Sequence, residues 1–166
     1  MVYQGDEHFI ENGNEIDLTI QDFWRWSYPN FLKRQKLLEL SRFIVASSIG
    51  ISSDCPQDIL TRDGLRIRVA SASYLQSEDG DHPDQVSYSV VTEGVDAFVI
   101  CLYKATSYSQ NLLNLDLWDF FTISSKTLRQ KIPGAKSVTL PRLMDLGVWL
   151  CDYHGIAAGI QKAMDV

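Results

Sequence analysis

The sequence predicts a single α/β domain in which a mixed central sheet is flanked by helices. Three observations lead there. The chain has 166 residues, 45% hydrophobic and 22% charged, the size and balance of one domain with a substantial core. A stretch of helical periodicity closes on a glycine, and a strictly alternating stretch follows it across a tight turn. Several short apolar runs then recur with helix-like segments between them.

Taken in order, residues 1–17 hold five acids and no Lys or Arg, and are expected to be an acidic N-terminal arm unless Phe9 and Ile10 dock. Order is expected from Thr19. Thr19 and Asp22 have capping-box spacing, and Phe23-Trp24-Arg25-Trp26 reads as a short helix before Pro29 whose aromatics are most simply core. Over residues 31–49, Leu37, Leu38, Leu40, Phe43, Ile44 and Val45 recur at helical spacing, with Gly50 placed as a C-cap glycine. Residues 57–60, a turn at Arg62-Asp63-Gly64 and the alternating residues 65–70 read as paired strands. Further strands are expected at 86–91, 97–103 and 120–123, and helices at 125–131, 141–146 and after Gly155. The expected layout is thus an arm to residue 17, one domain over 18–154, and a C-terminal helix over 155–166.

Composition narrows the function classes. The longest apolar run, residues 97–103, is far short of the roughly 20 residues a membrane-spanning helix needs. No basic, apolar leader is present at the N-terminus, so secretion by that route is not expected. Cys55, Cys101 and Cys151 are widely spaced with no CxxC pair, which suits a reducing cytoplasm better than a disulfide or zinc framework. There is no P-loop, Gly-rich dinucleotide turn or nucleophile elbow, and His8, His82 and His154 are isolated, so no cofactor is indicated. The net charge of -6 argues against a nucleic-acid binder over its whole surface. Between Arg25 and Arg68, however, eight basic residues face four acids, leaving seven basic against seventeen acidic elsewhere. Such a split allows one basic surface on an acidic body, or simply charges scattered over solvated faces.

On the second strand, Leu65, Ile67 and Val69 share one face and Arg66, Arg68 and Ala70 the other. An acid on one strand, a turn, then acid-x-lysine on its partner, after a helix donating another acid, gathers the hard oxygens that Mg²⁺ requires. The lysine then stands close to the attacking water. Words that match one group with that layout are Asp22-Phe23-Trp24-Arg25-Trp26, Phe43-Ile44-Val45-Ala46, Asp58 with Thr61-Arg62-Asp63-Gly64, and Ser71-Ala72-Ser73-Tyr74-Leu75-Gln76-Ser77. The runs at 96–102 and 115–121 also look like that group. Over about residues 18–146 the chain resembles the PD-(D/E)XK, restriction-endonuclease-like superfamily, and within it a group of small bacterial proteins.

The resemblance implies a restriction-endonuclease-like fold with a degenerate site. Arg42 stands where the group would have a helix glutamate, Arg68 where it would have a strand glutamate, and Ala70 where it would have the lysine. Asp58 and Gln76 remain. Two reversed charges repel a divalent cation, while a guanidinium near the ion's place is free to pair with Asp58. The expectation is a nuclease-like binding or regulatory protein that cuts nothing, with Arg42, Arg66, Arg68 and Gln76 as partner-binding candidates. Its partner would be a nucleic acid or a protein, for instance in a phage-defence or restriction-type system.

Plainer readings stand beside these. Asp58 is then an ordinary strand-end acid and the Arg66/Arg68 face meets water. Gln76 is a surface glutamine, and the acid-rich loop at residues 78–84 is solvated, since it lacks the calcium-loop spacing. The alternative function is an active Mg²⁺-dependent nuclease in which Glu78 or Lys104 replaces a lost residue.

Overall fold

The computed structural model describes residues 3–27, 34–52, 58–75 and 86–166. They belong to two compact units, Met1–Phe31 and Leu32–Val166.

The first unit is a hairpin followed by a helix, where the sequence suggested a structureless arm. Strands β1 (His8–Glu11) and β2 (Asn14–Thr19) pair antiparallel with Glu11 opposite Asn14. Asn12 and Gly13 turn the chain with φ of 51° and 80°, the two positive values of a type I′ turn, whose twist matches that of the strands. Helix α1 (Ile20–Ser27) follows, and the capping box at its start is formed. The Thr19 N–H donates to Asp22 Oδ2 at 2.9 Å and the Asp22 N–H to Thr19 Oγ1 at 3.3 Å. The aromatics of α1 are not core: none of its residues is buried, and Trp26 is 76% exposed.

The second unit is a mixed α+β structure. Helix α2 (Arg34–Ser48) stops where sequence places its end. The N–H of Ile51 donates to Ala46 O and that of Gly50 to Ser47 O, a Schellman motif that needs the left-handed φ of 75° Gly50 supplies. Strands β3 (Ile59–Arg62) and β4 (Leu65–Ser73) form a hairpin about Asp63 and Gly64, again both at positive φ. After β5 (Ser87–Ser89), β6 (Ala97–Tyr103) runs parallel to β4 and antiparallel to β7 (Trp118–Ser124). Helix α3 (Ser125–Lys131), strand β8 (Ser137–Thr139) and helix α4 (Leu140–Asp145) follow. Strand β9 (Trp149–Cys151) and helix α5 (Ile156–Met164) complete the unit. The five-stranded sheet has the order β3-β4-β6-β7-β9, and β5 pairs with β8 in a small sheet of their own.

Two cores lie on the two sides of this sheet. Leu37, Val45, Ile156 and Ile160 from α2 and α5 pack with Ile67, Val69, Val99 and Phe120. Tyr88, Leu128, Val138 and Leu143 from β5, α3, β8 and α4 pack with Ala70, Ala72, Phe98 and Ile100. Strand β6, apolar at every position, is buried throughout because it is covered on both faces. At Gly159 helix α5 approaches so closely that a Cβ would stand 3.0 Å from Thr122 Oγ1 and 3.1 Å from Cys151 Sγ.

Candidate functional site

The site grows from the β3–β4 hairpin and the helix lying against it. The last register pair is Ile59 opposite Arg68, so Asp58 sits just before β3, and β4 from Val69 onward has no β3 partner among the described residues. Helix α2 packs against β4 through the core that holds Leu37, Val45, Ile67 and Val69. The result is a pocket of about 310 Å³ lined by Leu38, Arg42, Asp58, Arg68, Val69, Ala70, Ser71, Ser89 and Val91.

Four sequence-predicted positions therefore meet in one place. Arg42 Nη2 lies 2.9 Å from Asp58 Oδ1; the arginine side chain is only 18% exposed, the aspartate 86%. The ion pair thus joins α2 to the start of β3 with its cation largely desolvated and its anion in water. Arg68 leans the other way, its Nη1 donating to the Val91 carbonyl at 2.7 Å. Ala70, 7% exposed, puts a methyl group on the pocket wall while packing into the second core. Two donors here are left over: Arg42 Nε and Ser71 Oγ are buried with no hydrogen-bond partner among the described residues. A buried polar group in that condition costs about 1–3 kcal/mol.

The other candidates fall elsewhere. Arg66, on the same strand face as Arg68, does not line the pocket. Its backbone N–H donates to Asp96 Oδ2 at 2.8 Å, its guanidinium reaches the same carboxylate at 3.4 and 3.5 Å, and the Asp96 N–H donates back to Arg66 O. That clasp ties the start of β4 to the entry of β6, and it holds the Asp96 carboxyl below its ordinary range, chiefly through the Arg66 N–H. Arg66 meets water as well as Asp96, its side chain being 53% exposed, while Arg68 turns to the Val91 carbonyl. Lys104 is 2.8 Å from Asp119 Oδ1. It follows β6 four residues past Ile100, the partner of Ala70, roughly 13 Å away at strand spacing. Gln76, Glu78 and the acid-rich loop at 78–84 lie outside the described residues.

Sequence reasoning missed Ser71 and Ser89. Ser71 belongs to a word singled out for resemblance, and only the open edge of β4 exposes its relevance. Ser89 flanks buried Tyr88 on β5, and nothing in that alternation reveals that β5 and α2 line one pocket.

The donor set does not suit a divalent cation. Two guanidinium groups and one carboxylate leave the pocket net positive, whereas Mg²⁺ and Mn²⁺ favour hard oxygen ligands. Among the described residues no three His, Cys, Asp or Glu side chains are grouped so as to hold a metal ion. No helix among the described residues is long and apolar enough to cross a membrane. No family model, curated protein or solved structure matches the chain.

Proposed function

We propose that this chain is a catalytically silent domain of the restriction-endonuclease-like class, acting as a binding or regulatory protein through the pocket between α2 and β4. The observation that supports it best is the convergence of Arg42, Asp58, Arg68 and Ala70 on one pocket, with the Arg42–Asp58 ion pair at its rim. The β3–β4 hairpin alone brings Asp58, Arg68 and Ala70 together, so the independent support for the resemblance is Arg42, which reaches them from α2. The element order also agrees with it: a helix, an antiparallel hairpin whose second strand bears the altered positions, and a parallel neighbour.

Cleavage of a phosphodiester by this class needs a metal to orient water and absorb charge, and a lysine near that water. With Arg42 and Arg68 in place of carboxylates and Ala70 in place of the lysine, the pocket has lost both contributions. Lys104, the described candidate for a migrated lysine, is engaged with Asp119 away from the pocket. A cytoplasmic location accompanies this reading, in keeping with the free thiols of Cys101 and Cys151.

The test is incubation of the purified chain with single- and double-stranded DNA and RNA in Mg²⁺ or Mn²⁺. No cleavage above that of an Asp58→Ala control is expected. Cleavage by the wild-type chain that Asp58→Ala abolishes would establish the alternative, an active nuclease with migrated ligands.

A further inference from the structure

We infer that the first unit, the β1–β2 hairpin with α1, is a docking module for another protein, to which it presents apolar side chains for a groove edged by Lys and Arg. None of the residues lining the pocket between α2 and β4 belongs to it.

What holds this unit in shape is polar. The Glu7 carboxylate accepts from the N–H groups of Gln4 and Gly5, both at 2.8 Å. The N–H groups of Ile20 and Gln21 donate to Glu7 O and Gly5 O, and the Thr19–Asp22 capping box starts α1. The apolar side chains build no core there. Among the unit's described residues only Gly5 is buried. Phe9, Ile10, Ile16, Leu18, Phe23 and Trp26 are all exposed, Ile10 to 70% and Trp26 to 76%. A two-stranded hairpin is marginal by itself, and large apolar side chains left in water at this density mark a surface that another body covers. The rings of Phe23 and Trp26, three residues apart on α1, stand 6.3 Å apart between centroids as an exposed aromatic pair. Anchors at that spacing are what a helix seats in a groove, and Trp is prominent among the residues that dominate interface energy.

Charge decides the partner. Residues 1–31 hold six acids and one basic residue, Arg25, a net of -5, while the rest of the chain has fourteen basic residues against fifteen acids, a net of -1. Asp6, Glu11, Glu15 and Asp17 have no ion-pair partner among the described residues. Ile10 stands opposite Glu15 across the hairpin, so acid and apolar groups share a face. This field repels nucleic acid and anionic lipid, and a second copy would set the same acids against themselves. A basic protein surface is drawn to it, with the apolar contact made once the two meet.

The experiment selects random peptides displayed on phage against the immobilised full chain, then titrates the synthesised peptides into free protein. Selected peptides are expected to combine Lys or Arg with apolar residues. Trp26→Ala should weaken them by about tenfold or more, as the loss of a central aromatic anchor does. Glu15→Lys/Asp17→Lys should weaken them by about fivefold or more, and added salt should act in the same direction. Trp149→Ala, at an exposed tryptophan outside the unit, should leave them within about twofold. Trp26 is exposed, so its removal leaves the unit's hydrogen bonds in place, and the charge-reversed variant is a second, independent reading. Failure to select any peptide, peptides without Lys or Arg, or affinities unchanged in Trp26→Ala would overturn the inference. So would a dimer in sedimentation that Phe23→Glu/Trp26→Glu dissociates, which assigns the face to a second copy. Binding to phosphatidylcholine vesicles that Trp26→Ala abolishes would overturn it in favour of a lipid surface.

Discussion

The two faces of β4 are built from alternate residues of one nine-residue strand, yet they answer to different constraints. Ile67 and Val69, 1% and 4% exposed, close the core beneath α2 and α5. Their neighbours Arg66, Arg68 and Ala70 give a clasp to Asp96, a polar wall and a methyl group at the margin of the other core. The first face is core beneath α2 and α5; the second carries the two arginines at its start and turns to core at Ala70 and Ala72, which pack with residues of α3 and α4. Changing Arg66 or Arg68 therefore leaves both apolar cores intact, whereas changing Ile67 does not.

That contrast is broken if substitutions on the two faces cost the same. Ile67→Ala should lower unfolding free energy in urea by about 2–5 kcal/mol, the usual cost of a cavity in a packed core. Arg68→Met, which loses its bond to Val91 O but no core contact, should cost about 1 kcal/mol. A smaller test of the same core is Gly159→Val, whose methyl groups would meet Thr122 and Cys151. It should cost about 1–3 kcal/mol through overpacking, while Gly134→Ala, where a Cβ meets nothing within 4 Å, is penalised by its φ of 74° alone.

The smallest effect concerns the clasp. Because the Asp96 carboxyl is held below the ordinary 3.8 in the folded state, its contribution is complete above that value and is lost as pH falls through the lowered one. Asp22, held low chiefly by the Thr19 N–H, behaves in the same sense. Thermal midpoints measured from pH 5 downward should therefore fall less steeply in Asp96→Asn than in wild type. Equal slopes would remove Asp96 from the account.

Much of this architecture was legible beforehand. Gly50 marked the end of α2, Asp63-Gly64 the β3–β4 turn, and the apolar residues 97–103 the central strand, because each is a local signal that tertiary packing reinforces. The β1–β2 hairpin was missed although Asn12-Gly13 between Glu11 and Asn14 is a strong turn signal, since its strands are acidic and exposed and lack a clear apolar alternation. Strands β8 and β9 have three residues each, too few to show a period. Within the site, the odd residues at 42, 68 and 70 were readable only against the resembling pattern. Their meeting place, and the part Ser71 and Ser89 take in it, depends on α2 and β5 approaching β4 from far along the chain.

On the proposed function, Arg42 and Arg68 stand in the pocket in place of a metal ion. Calorimetric titration of the wild-type chain with Mn²⁺, with Asp58→Ala alongside, tests it most directly. The account predicts no saturable binding by either protein. Saturable Mn²⁺ binding by the wild-type chain that disappears in Asp58→Ala would contradict it.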